Sequence, residues 1–175
     1  MTTRVVFIRA VNVGGGAKLP MASFRDLLEG LGAREVRTYI ASGNALVEID
    51  GDPDAFDRAV EAAVQQQFGF LREVMSRTPQ ELRAALAAHP FEVADDSFSY
   101  VSMLSAAPSA EAVAAAASVR SGEDRWQVIG RELHLRYADG AGRAILNHEA
   151  LAKRLGVAAT ARNLRTVRKL IELAS

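Results

Sequence analysis

A chain of 175 residues with 49% apolar and 24% charged side chains has ordinary globular proportions, which indicate a buried core and neither disorder nor a membrane span. Twenty-one Lys and Arg balance twenty-one Asp and Glu, so no global charge argues for nucleic acid or an anionic membrane as partner. With no cysteine, disulfides, thiolate catalysis and thiolate metal sites are excluded.

The opening Met1-Thr2-Thr3-Arg4 and an apolar run broken at Arg9 are too short and too charged for a secretory leader, and a cytoplasmic location is expected. Val5 to Ala10 has the length and β-branched content of a buried central strand. A glycine-rich loop, Asn12-Val13-Gly14-Gly15-Gly16-Ala17-Lys18, follows. Pro20 then opens a helix in which Met21, Phe24, Leu27, Leu28 and Leu31 recur at helical spacing before Gly32. Val36, Thr38 and Ile40 alternate with polar neighbours, as do Ala45, Val47 and Ile49 after Ser42-Gly43-Asn44, which predicts a hairpin. Asp52 and Pro53 start a second helix that Gly69 ends, and Leu71 to Ser76 reads as a fourth strand. Thr78-Pro79-Gln80-Glu81 is a capping box for a further helix.

The first half thus runs β-α-β-β-α-β, the order of a ferredoxin-like unit. Beyond Pro90 the order restarts with a strand over 98–105, an alanine-rich helix near 110–118, and a hairpin of 126–129 with 133–137. Leu146 to Leu155 and Arg162 to Leu173 both read as helices, leaving no closing strand. The expected fold is α+β: two ferredoxin-like halves with antiparallel sheets, residues 1–90 and 91–175, plus C-terminal helices.

In a ferredoxin-like sheet of order 4-1-3-2, the end of strand 1 lies beside the start of strand 3. The Asn12 to Lys18 loop and the Ser42-Gly43-Asn44 turn should therefore share one edge. There the start of the first helix offers unpaired N–H groups and partial positive charge, Gly14 and Gly15 allow close backbone approach, and Lys18, Arg9 and Arg37 lie within reach. Such an edge suits phosphate or carboxylate. The same loop also describes a slack connection, and it matches neither the dinucleotide fingerprint nor the P-loop. Ser42-Gly43-Asn44 equally meets the demands of a tight hairpin.

The segment Ile8-Arg9-Ala10-Val11-Asn12-Val13-Gly14-Gly15, with Met21 and Arg25, and then Arg37-Thr38-Tyr39-Ile40-Ala41-Ser42-Gly43-Asn44, resembles the signature of a bacterial family catalogued as domain of unknown function 1697. Ala159-Thr160-Ala161-Arg162-Asn163, with Thr166-Val167 and Lys169-Leu170, resembles that family's third motif. The resemblance implies a duplicated ferredoxin-like arrangement and no established activity. The chain departs from the family pattern at Arg143 to Leu146 and at Leu164-Arg165, so Arg162, Asn163 and Thr166 are the positions carried over from the third motif, and Thr38, Tyr39, Ser42, Gly43 and Asn44 from the second.

From Arg143 to Lys169 seven basic side chains face one acidic, Glu149. Arg162, Arg165 and Lys169 at i, i+3 and i+7 describe either a phosphate-facing helical stripe or a solvated terminal helix, the latter favoured. His89, His134 and His148 stand far apart with no metal-binding spacing, so no metal and no cofactor are expected. Asp95-Asp96 reads as a turn, and Tyr39, Tyr100, Tyr137 and Trp126 as core. No nucleophile motif is present, which leaves catalysis open. The expected function is binding of a phosphate-bearing small molecule, with nucleic-acid backbone as a weaker version, by a monomer or homodimer with no membrane partner. The alternatives are a homodimeric interaction module and an enzyme acting on a phosphorylated metabolite.

Overall fold

In the computed structural model, which describes residues 1–175, the chain divides into two compact units, Met1–Leu82 with Leu170–Ser175, and Arg83–Lys169. The first contains strands β1 (Thr2–Ile8), β2 (Arg34–Tyr39), β3 (Asn44–Ile49) and β4 (Val74–Arg77), with helices α1 (Met21–Gly30) and α2 (Pro53–Phe68). Its sheet has the order β2-β3-β1-β4 and every pair is antiparallel. Period two in β1 aims Val6 and Ile8 at the helices, where they pack with Phe24 and Leu28 of α1 and Val60 and Val64 of α2.

Local signals set the helix ends. Asp52 accepts the amide of Ala55 at 3.1 Å, Pro53 occupies the first turn, and Gly69 closes α2 in the left-handed region. Helix α3 (Pro79–Ala88) opens on a reciprocal box, in which Thr78 N–H donates to Glu81 Oε2 at 2.8 Å and Glu81 N–H to Thr78 Oγ1 at 3.1 Å.

The second unit contains β5 (Ser99–Leu104), α4 (Ala110–Ala116), β6 (Arg125–Ile129), β7 (Glu132–Arg136), α5 (His148–Leu155), β8 (Ala159–Asn163) and the start of α6 (Leu164–Leu173). Its sheet order, β6-β7-β5-β8, repeats the first with all pairs antiparallel. The fold is α+β in two repeated halves, with six helices, none long and apolar enough to cross a membrane. Leu104, Leu133, Leu135, Leu151 and Leu155 form the core of this unit.

The expected absence of a closing strand is corrected by β8, which pairs with β5 from Tyr100–Asn163 to Leu104–Ala159. Ala-Thr-Ala-Arg-Asn carries little strand propensity of its own. Pairing and burial of Ala159, Thr160 and Arg162 override it. Helix α6 consequently begins at Leu164 rather than Arg162, because Asn163 Oδ1 accepts the amide of Thr166 at 2.9 Å and caps it.

Buried polar groups tie the elements. Asp124, 4% exposed, accepts the amides of Ala138, Ile145 and Leu146 at 2.9, 2.9 and 3.0 Å and so fixes the connection between β7 and α5. Ser102 Oγ and His148 Nε2 meet at 2.8 Å with the serine shut from solvent, so the pair joins β5 to α5 and offers no accessible nucleophile. In the first unit Arg4 Nε donates to Ser76 Oγ, which donates to Asp57 Oδ2, both at 2.9 Å. Burial pushes the Asp57 carboxyl up to about 6 from 3.8, against the Ser76 bond and the Arg4 and Arg58 charges.

Two predictions follow from these contacts. Gly43 has φ +90°, and a Cβ there would stand 2.5 Å from Ile8 Cγ2 and 2.8 Å from Val11 Cγ2. Gly43→Ala should cost about 2–4 kcal/mol, the sum of a left-handed alanine and overpacking, measured by urea unfolding. For Asp57, the native carboxyl binds its proton more tightly than the unfolded one. The associated stability is therefore full below about pH 4 and lost as pH rises through 6. Relative to Asp57→Asn, the native chain should lose on the order of 3 kcal/mol between those limits, about two units at 1.36 kcal/mol each. Parallel pH profiles for the two chains would contradict this.

Candidate functional site

The β1–β3 register ends at Phe7 opposite Asn44, and Ile8 N–H donates to the Gly43 carbonyl at 3.0 Å. The glycine loop and the β2–β3 turn are thereby brought to one edge. Asn12 fastens them. Its Nδ2 donates to the carbonyls of Leu19 at 2.8 Å and Ala41 at 2.7 Å, its Oδ1 accepts the Leu19 amide at 2.8 Å, and its own amide donates to Ala17 at 2.9 Å. Asparagine tolerates the required φ of +58° better than most residues. Ala10 at φ +51° and Ile40 at +50° lie in the same left-handed region, and strain of this kind concentrates where surrounding structure holds a functional loop.

A cavity of about 440 Å³ opens at this edge, lined by Asn12, Gly15, Gly16, Lys18, Leu19, Pro20, Met21 and Ala41. Pro20 precedes α1 and no side chain caps it, nor does its first turn contain an acidic residue. The amides of Met21, Ala22 and Ser23 have no intrahelical partners by helix geometry, so the wall carries open donors and partial positive charge. Lys18 is exposed and forms no ion pair. The remaining wall is apolar, through Leu19, Pro20, Met21 and Ala41.

Several other residues singled out by the sequence are committed elsewhere. Arg9 Nε lies 2.6 Å from Glu73 Oε2; burial works to raise that carboxyl, and the Arg9 bond outweighs it, leaving Glu73 below its usual value. Arg37 donates to the Leu173 carbonyl at the end of α6, at 2.7 Å. Thr38 Oγ1 accepts from Arg25 at 3.1 Å. Asn44 is buried and donates to the Tyr39 carbonyl at 3.1 Å and to Ser42 Oγ at 3.0 Å, which shapes the turn, while Gly14 supplies a φ of +64° to the loop.

The third motif lies in the second unit, and the alternative of a helical stripe that includes Arg162 is corrected, because that residue lies on a strand. Arg162 sits on β8, 8% exposed, and donates to Thr160 Oγ1 at 2.8 Å and the Ala161 carbonyl at 3.0 Å, with burial pushing its guanidinium down to about 10. Asn163 and Thr166 form the cap already described. Arg165 and Arg168 of α6 approach Asp95 and Asp96 at 4.0 and 3.1 Å. The acidic turn thus faces Arg165, one of the cations that a phosphate stripe would need, together with its neighbour Arg168.

The spacing of the histidines also concealed a contact. His89 Nδ1 and His134 Nδ1 are 2.9 Å apart, and His134 is 1% exposed, with burial and the neighbouring His89 driving its pKa down to about 4. Sequence separation gives no signal of this pair, because His89, just past α3, and His134 of β7 meet only in the folded unit.

Asn12→Ala should cost roughly 2 kcal/mol, from lost hydrogen bonds and a left-handed alanine, and should speed exchange of the Leu19 amide. Unchanged urea unfolding with an unchanged Leu19 exchange rate would show that the clamp contributes nothing.

The family described as "Protein of unknown function (DUF1697)" matches residues 1–134. Among solved structures, the conserved bacterial protein SP0830 from Streptococcus pneumoniae is similar, with a TM-score of 0.74 and 18% identity over 99% of each chain. That likeness concerns the fold. No curated protein matches the chain.

Proposed function

The chain belongs to the DUF1697 family, and we propose that its first unit binds an anionic, phosphate-bearing small molecule in the cleft between the Asn12–Lys18 loop and the Ser42–Asn44 turn. The observation that carries this reading is Lys18, an ammonium without a carboxylate partner, which lines the same cavity as the uncapped start of α1. Gly15 and Gly16 bring backbone to the cavity wall, and Asn12, Ser42, Gly43 and Asn44 hold the cleft's shape. Arg37 acts at a distance, through its charge, whereas the charge of Arg9 is balanced by Glu73. A few amide donors with one charge-assisted bond of about 1.5–3 kcal/mol give micromolar to millimolar affinity.

Nucleic-acid backbone is the weaker version, since Arg165 and Arg168 are balanced by Asp95 and Asp96. A second reading, a protein-interaction module, draws on Val13 and Ile40, apolar and 58% and 49% exposed on the two loops.

A thermal-shift panel of nucleotides, sugar phosphates and short oligonucleotides tests the proposal. A ligand at a hundred times its dissociation constant should add ~2.7 kcal/mol, and Lys18→Ala should remove most of the shift. No stabilisation by any compound, together with a dimer by light scattering, would transfer support to the interaction module.

A further inference from the structure

Buried polar atoms without partners gather on one face of the second unit's sheet. His89 Nε2, Ser99 Oγ, His134 Nε2 and Arg136 Nε all lack a hydrogen-bond partner. An unpaired buried polar group costs about 1–3 kcal/mol, and of these four Ser99 and Arg136 line open space, where their spare donors ask for a polar partner. Ser99 of β5 lies opposite Arg136 of β7, which lies opposite Arg125 of β6, so the three side chains form a row across the sheet. Ser99 is only 1% exposed.

The two arginines are a cross-strand pair of like charge, an arrangement that destabilises a sheet unless something answers it. Neither reaches a carboxylate. Arg125 Nη1 donates to the carbonyls of Gly122 and Asp124 at 3.3 and 3.2 Å, and Arg136 Nη2 to that of Glu123 at 2.8 Å. Beside them lie two cavities of about 220 and 340 Å³ that share Arg136 and Glu92. Ser99 and Phe98 line the first, Arg125 and Phe91 the second.

We infer that this corner of the second unit binds a small organic acid, whose carboxylate or phosphate is held by Arg125 and Arg136 and accepts the Ser99 hydroxyl hydrogen, with its apolar body against Phe91 and Phe98. Guanidinium groups suit this task, because their planar donors match the oxygens of either head group. Glu92, and Asp95 in the first cavity, oppose an anion here and temper the affinity. The site is separate from the loop edge and stands whether or not that edge binds phosphate.

Calorimetric titration of the full chain with phenyl phosphate, benzoate and inorganic phosphate tests the inference. Saturation of the Lys18→Ala chain, in which the loop edge is disabled, by either organic acid supports it and identifies the head group. Arg125→Gln should weaken that binding roughly tenfold, the loss of one charge-assisted bond. Arg125 is exposed and bonds only to nearby carbonyls, so the variant should stay folded, with circular dichroism as the check. In the same Lys18→Ala background, Ser99→Ala should weaken binding several-fold and Glu92→Gln should tighten it. The inference is overturned if neither organic acid saturates the Lys18→Ala chain at ~10 mM, or if that binding is indifferent to both Arg125→Gln and Ser99→Ala. Inorganic phosphate binding the Lys18→Ala chain as tightly as phenyl phosphate would likewise overturn it, since the phenylalanines would then contribute nothing.

Discussion

The antiparallel pairing of β1 with β3 is the constraint on which the first unit depends. It buries Val6 and Ile8 beneath two helices and, by the same register, delivers the loop after Ile8 to the turn before Asn44. Gly43 makes the approach close enough, because the space a side chain would need is filled by Ile8 and Val11. Asn12 then converts proximity into attachment. Core packing and loop placement are therefore consequences of one alignment, and shifting it by a residue would turn every β1 side chain to the wrong face.

Polar groups within the second unit are used in opposite ways. Asp124 is buried with three amide donors, so its oxygens are satisfied and the loop it gathers is fixed. The row of Ser99, Arg136 and Arg125 has donors to spare and a cavity on either hand. Satisfied networks hold structure, whereas unsatisfied ones beside space are suited to recognition.

Much of the first unit is legible from residue order, because its signals are local and agree with one another. Asp52-Pro53, the Thr78–Glu81 box and the alternation through Val36 to Ile49 each act within a few residues. Strand order follows from element order by the ferredoxin-like rule. The second unit is less legible where long-range pairing decides the outcome. Ala159 to Asn163 has a composition that suits a helix, and β5 makes it a strand. At the loop edge, proximity and the open start of α1 could be read, but the side-chain partners could not. Arg9 gives no sign in sequence that Glu73 holds it, nor Arg37 that a helix end does, because those contacts span 64 and 136 positions. The arginine row was missed for the same reason: Ser99, Arg125 and Arg136 become neighbours only through strand register.

The junction between β8 and α6 has a mechanical consequence. Asn163 is the last residue of the strand, opposite Tyr100, and also the cap whose Oδ1 receives the Thr166 amide. No loop separates the two elements to absorb slack. A tug that peels β8 from β5 also uncaps the helix, and fraying of the helix start frees the strand's final residue. Edge strand and helix thus form one cooperative latch, so this edge of the second sheet opens as a unit or stays shut.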